Sequence, residues 1–222
     1  MKKYISAIII IILAILVIIW GITYYQSKDR VLSAGKSCIK FSEFDKAIEL
    51  FNKVIEEDPG NLEAHIYLGI AYGKKREYEE ALKNFGIAKN SEEYENLALP
   101  AEIHNDVGLI YYLLEQYELA VGEFERSIDA NPKYSEAYFN LGVTYSIAER
   151  SDDAIAAYKK VLEIDPKNSF SHWNLAVNLE KTGNLQGAVK HWEEYVDNVP
   201  AAFRHPDIKR HIDELKEKIA GK

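Results

Sequence analysis

Apolar and polar positions follow two rhythms along this chain. From Ile5 to Ile22 no charged residue appears, and most positions are Ile, Leu, Val or Ala. Beyond that run, small, aromatic and charged residues recur with a long, fixed period. Ala47, Ala81, Ala120, Ala154 and Ala188 are separated by 34, 39, 34 and 34 residues. Four residues after each stands an aromatic ring: Phe51, Phe85, Phe124, Tyr158 and Trp192. Twelve before each stands Gly35, Gly69, Gly108, Gly142 or, once, Ala176. A proline follows twelve after four of the five, at Pro59, Pro132, Pro166 and Pro200. Chance does not keep four residue types in phase across five units, so the chain is a repeat array.

Each spacing has a mechanical reason. Small residues in two successive helices let their axes approach. An aromatic one turn after the alanine lies on the same helical face and fills the gap beside that contact. Proline cannot continue a helix, and it pre-sets the turn into the next unit. A glycine inside a helix costs about 1 kcal/mol against alanine, so its recurrence needs a packing reason. The pattern therefore predicts helix pairs at 28–61, 62–95, 101–134, 135–168 and 169–202. After Ala202 it lapses, and Ile208, Ile212, Leu215 and Ile219 recur on one helical face among charged residues. Over 203–222 this predicts a capping helix with Pro206 in its first turn, covering the last apolar face of the array.

The array resembles the tetratricopeptide repeat, which shares its period and residue signature. The fourth unit carries the resemblance best: Ser135-Glu136-Ala137-Tyr138-Phe139-Asn140-Leu141-Gly142, then Tyr145, Asp153-Ala154-Ile155, Tyr158 and Asp165-Pro166. The resemblance runs from Lys28 to Ala202 and implies an all-α, right-handed α-solenoid. Departures are local. Cys38 stands where the family usually has Tyr, unit two has Glu93 at the proline slot, and five extra residues follow from Asn96 to Pro100. Unit five has Ala176 and Leu179 in place of Gly and Tyr.

The N-terminal run is expected to be a membrane anchor over residues 1–27. Tyr4 to Tyr25 would rise about 33 Å as a helix, against roughly 30 Å for a hydrocarbon core. Lys2 and Lys3 flank one end, and Trp20, Tyr24 and Tyr25 the other. A cleaved signal would be shorter and end in small residues, whereas Trp20-Gly21-Ile22-Thr23-Tyr24-Tyr25 is bulky. Lys36, two residues ahead of Cys38, argues against a lipoprotein signal. The expected arrangement is a single-pass protein, N-terminus cytoplasmic, with the repeats on the other side. Gly21 to Gly35 contains no proline or loop cluster, so the span is expected to run on into the first repeat helix.

Composition changes this picture little. Hydrophobic residues at 47% and charged residues at 28% are those of a globular chain. With 27 basic residues against 35 acidic ones the net charge is −8, which argues against nucleic acid and against docking flat on anionic lipid. The one cysteine, Cys38, excludes an intrachain disulfide and falls in a helix-core slot. No phosphate-binding glycine loop, His-Glu-x-x-His or Gly-x-Ser-x-Gly occurs, so neither an enzyme nor a cofactor is expected. His65, His104 and His172 share one slot in three units, which implies packing rather than metal ligation. His205 and His211 lie at the capping helix and are expected in solvent.

In tetratricopeptide proteins the first helix of each pair lines a concave groove, and the resemblance implies the same face here. On it fall Ile66 and Ile70; Asn105, Leu109 and Tyr112; Phe139 and Val143; Trp173 and Val177, with Leu32, Lys36 and Lys40 from unit one. A row this apolar suits a protein or peptide partner offering an apolar segment or an amphipathic helix. Phe139 and Trp173 are the expected anchors, and packing against the neighbouring repeat is the competing role for any of them. Asn140 and Asn174 occupy the slot used by carboxylate-gripping relatives, but the flanking basic residues are absent. The expectation is a membrane-anchored scaffold holding a partner, or copies of itself. The alternatives are an accessory or assembly subunit of a membrane-associated secretion, envelope or enzyme complex and, more remotely, a zinc or haem carrier.

Overall fold

The computed structural model describes residues 2–94 and 97–221; in the first helix the side chains of residues 2–12, 14, 20 and 22–26 lie outside the described ones. Among the described residues every regular element is helical. The α-helices are α1 (Lys2–Lys40), α2 (Phe44–Glu57), α3 (Leu62–Lys74), α4 (Tyr78–Lys89), α5 (Ala101–Leu113), α6 (Tyr117–Ala130), α7 (Ser135–Ile147), α8 (Ser151–Ile164), α9 (Ser169–Lys181), α10 (Leu185–Asn198) and α11 (Ile208–Ala220). The chain divides into two compact units, residues 1–97 and 98–222. The first holds the pairs α1–α2 and α3–α4. The second stacks α5–α6, α7–α8 and α9–α10, each pair resting on the next, with α11 against α10.

First helices bury more than second helices in some pairs, while α7 and α8 bury five residues each. Second helices are flanked on two sides, α2 by α1 and α3 and α8 by α7 and α9. First helices also meet the first helices of adjoining pairs, α3 with α1 and α7 with α5 and α9, and a helix covered on more sides is apolar over more of its surface. Nine residues of α3 are buried, against three of α2, whose outer side is charged.

The glycines have a sharper role than helix spacing alone suggests. A Cβ built on Gly35 would lie 2.6 Å from the Phe51 ring; on Gly69, 2.5 Å from Phe85; on Gly108, 2.7 Å from Phe124; on Gly142, 2.7 Å from Tyr158. In each pair the ring of the second helix occupies the volume of the missing methyl. That contact keeps glycine and aromatic in phase sixteen residues apart. The alanines at the five repeat positions are wholly buried.

The turn within each pair also repeats. Ser42, Arg76, Glu115, Glu149 and Gly183 all take positive φ, between 59° and 81°. The following amide donates five residues back: Glu43 to Cys38 O, Glu77 to Tyr72 O, Gln116 to Tyr111 O, Arg150 to Tyr145 O and Asn184 to Leu179 O. This is the Schellman helix ending, which places a left-handed residue just past the helix. Only the fifth unit fills that position with glycine. Between pairs, the side chains of Asn61 and Asn168 accept from Ala64 N and Ser171 N and cap α3 and α9.

The N-terminal expectation is corrected. Helix α1 does run unbroken into the first repeat pair, burying Leu32 and Cys38. Among the described residues, however, no helix is long and apolar enough to cross a membrane. The side chains described in the apolar run, Leu13 and Ile15 to Ile19, are exposed. They cover about 10 Å of helix, a third of a hydrocarbon core. Those of Lys2, Lys3, Trp20, Tyr24 and Tyr25 lie outside the described ones. The single-pass assignment, with its cytoplasmic N-terminus and membrane-borne partnership, is therefore withdrawn. At the other end α11 begins at Ile208, so Pro206 precedes the helix instead of lying in its first turn. Its buried side is Ile208, Ile212 and Leu215.

Candidate functional site

Within the second unit the first helices adjoin, α5 with α7 and α7 with α9. Offsets of four and eight from each helix start place Asn105 and Leu109, Phe139 and Val143, and Trp173 and Val177 in matching rows. Leu109, Tyr112, Phe139, Val143, Trp173 and Val177 are all half-buried, each keeping part of its surface open. Asn105 is buried, and Asn140 Nδ2 donates to its Oδ1 at 2.8 Å, fastening α7 to α5. A second polar link joins α9 to α7 and α8: Asn178 Nδ2 donates to Ser146 Oγ at 2.9 Å, and Ser146 Oγ lies 3.3 Å from the Tyr158 hydroxyl. Burial pushes the Tyr158 phenol up to about 12, so this link is neutral across the physiological range.

The first unit contributes differently. Ile66 and Ile70 are 0% exposed and offer nothing to a ligand; they are core residues. Leu32 is buried, and Lys40 is exposed. Lys36 pairs with Glu63 and stands 5.1 Å from the Tyr67 ring centre, so with the Lys28–Asp58 pair it ties α1 to the rest of its unit. Lys28 holds the Asp58 carboxyl below its ordinary range.

The two expected anchors sit in separate hollows. Phe139 packs edge-on against Tyr158, at 5.9 Å, and lines a recess of about 190 Å³ with Val161 and Phe170. Trp173 stands at the end of the row, edge to face with Trp192 at 4.7 Å and with Tyr195 at 5.0 Å. It opens on a cleft of about 530 Å³ between α9 and α11. Val177, Glu180 and Lys181 continue the α9 wall, and His205, Ile208, His211 and Glu214 form the opposite one. His205 is exposed, as expected, at the rim of the cleft, whereas His211 is half-buried in its wall and paired with Glu180. Glu180 Oε1 accepts from Trp192 Nε1 at 2.6 Å and lies 2.9 Å from His211 Nε2. This cleft could not be read from periodicity, because its second wall belongs to no repeat.

The repeated histidines have partners that the sequence reading missed. His65 Nδ1 lies 2.9 Å from Asn84 Oδ1, His104 Nδ1 2.9 Å from Glu123 Oε2, and His172 Nδ1 3.0 Å from His191 Nδ1. Each partner stands nineteen residues on, at one slot of the second helix, and that shared interval was the available signal. His65 and His172 also reach Pro59 O and Pro166 O through Nε2. His65 and His172 thus cross-link their helix pairs to the preceding turn, and His104 links α5 to α6. Among the described residues no cluster of three or more His, Cys, Asp or Glu is placed to hold a metal.

Tetratricopeptide-repeat family models match residues 39–84 and 135–168, and a TPR repeat model matches 108–146. This chain carries tetratricopeptide repeats. Among solved structures, that of MamA is 26% identical with a TM-score of 0.61, covering 74% of this chain and 93% of that one. YrrB, whose structure is described as a TPR protein with an unusual peptide-binding site, is 21% identical with a TM-score of 0.69. It covers 83% of this chain and 90% of that one, a likeness of fold. The uncharacterized protein ycf37 of Guillardia theta is 31% identical over 67 residues, a match spanning 38% of that relative's length.

Proposed function

We propose that the chain is a binding scaffold that holds a protein or peptide segment along the first-helix row of residues 98–222. The observation that carries the reading is the row itself: Leu109, Tyr112, Phe139, Val143, Trp173 and Val177 are apolar or aromatic, in register on adjoining helices, and only half-buried. Helix-pair packing alone would bury them as it buries Ile66 and Ile70. An apolar row flanked by polar links suits an extended segment or an amphipathic helix laid against it. The fold likeness to YrrB, a protein described as peptide-binding, agrees with this. The proposal is of a binding module, and no residue is assigned a catalytic role.

The test is site-directed photo-crosslinking. A crosslinking amino acid at Leu109 or Val143 should trap a discrete partner, while one at Lys159 on the exposed side of α8 should not. Equal trapping from both positions would count against the row. Phe139→Ala should be followed by binding and by melting together. A large fall in melting with binding lost only in proportion would make the ring a packing residue.

A further inference from the structure

The Trp173 cleft differs in chemistry from the rest of the row. Four ring systems surround it: Trp173 and Trp192, then His205 at 6.1 Å from Trp173 and His211 at 5.7 Å from Trp192. Among them stands Glu180, about three-quarters buried. Both of its hydrogen bonds fall on Oε1, from the Trp192 indole and from His211, so the carboxylate is fixed in place with Oε2 left for a donor. Asp207 and Glu214 also line the cleft, and Arg210 lies 3.1 Å from the one and 3.6 Å from the other. With Lys181, the lining carries three carboxylates against two fixed cations.

We propose that this cleft is a subsite for a basic side chain of the bound segment, an arginine, with its guanidinium over the half-open Trp173 indole and its donors on Glu180. The inference rests on the segment-binding reading above and names the chemistry at one end of the row. An indole face attracts a cation, and a planar guanidinium stacks on it while presenting donors in its own plane. The methylene stem of an arginine finds Val177 and Ile208 on opposite walls. Charge elsewhere runs the same way. The chain carries −8 overall, and Glu102, Asp106 and Glu136 gather around Tyr134 on α5 and α7, where burial first and then these carboxylates raise that phenol. A basic segment is drawn to such a surface, and its apolar residues then have the row to lie on.

The experiment uses the full chain carrying Trp20→Phe, which leaves Trp173 and Trp192 as its two tryptophans. At physiological ionic strength, N-acetyl-arginine amide should change their fluorescence saturably. N-acetyl-citrulline amide, its neutral counterpart, should bind at least about fivefold more weakly. Glu180→Gln keeps an acceptor for Trp192 and removes the charge, so it should erase most of that preference. Glu214→Gln, at an exposed position, should reduce it without any risk to folding. Equal binding of citrulline and arginine, or an unchanged preference in both variants, would overturn the subsite. Crosslinking from Val143 in the Glu180→Gln chain separates the two proposals. If trapping persists there while the chain with Glu180 intact shows no preference for arginine over citrulline, the subsite falls and the row stands.

Discussion

At the scale of single residues, fit between neighbouring side chains outweighs intrinsic preference. Alanine is the better helix former by about 1 kcal/mol, yet Gly142 faces the Tyr158 ring where a methyl would come within 2.7 Å. Gly142→Ala should therefore destabilise the chain by about 1–3 kcal/mol, the range for overpacking a tight core. Urea denaturation followed by circular dichroism would show it as a lowered midpoint. The opposite sign is expected at Ser171. Its hydroxyl is buried and, among the described residues, has no hydrogen-bond partner, while the same slot of other units holds the wholly buried Ala64 and Ala137. Its amide bond to Asn168, which caps α9, survives substitution. Ser171→Ala should raise stability by about 1 kcal/mol, relieving an unsatisfied polar group, in the same assay.

At the scale of the helix pair, the histidine links set a pH dependence. In the α9–α10 pair the Nε2–H of His172 donates to Pro166 O, so its Nδ1 accepts from the Nδ1–H of His191. Burial, reinforced by the neighbouring His172, pushes His191 down from 6.5 to about 4. The unfolded chain thus takes up this proton before the folded one as pH falls. The stability tied to the neutral pair is complete above about pH 6.5 and is lost progressively toward pH 4. Urea midpoints should fall between pH 7.5 and pH 5. His191→Asn, which installs the partner found at Asn84 in the third helix's pair, should make that decline shallower.

At the scale of the whole chain, each described unit must close its own apolar faces. Helix α11 does so for α10, burying Ile208, Ile212 and Leu215, each side chain contributing about 1.5–3 kcal/mol when fully buried. Ending the chain after Arg204 should lower the urea midpoint markedly and shift the emission of Trp173 and Trp192 to the red, since the cleft loses one wall. An unchanged midpoint and spectrum would show that α11 contributes neither stability nor enclosure. The mechanical reason is general to repeat arrays, where the last unit lacks the neighbour that covers every other unit.

Much of this was decided along the chain itself. Glycine, alanine, aromatic and proline in fixed phase dictate helix pairs, because only short-range spacing and close contact are involved. Ile208, Ile212 and Leu215 show their helical stripe without any partner being known. What lies across space was not legible. Nothing in the pattern distinguishes Ile66, fully buried, from Phe139, half-open in the same slot, because the difference rests on what other helices cover. The partners of His65, His104 and His172 lie on another helix, and their varied identities, Asn, Glu and His, hide the common geometry. The Trp173 cleft needs a wall from α11, outside the repeat. The apolar run near the N-terminus suggested a membrane span by its length, its lack of charge and its flanking lysines and aromatics, all local measures, and the described helices do not support one. Local periodicity determined the elements; burial, which depends on every neighbour at once, decided which of their residues are core and which remain free to bind.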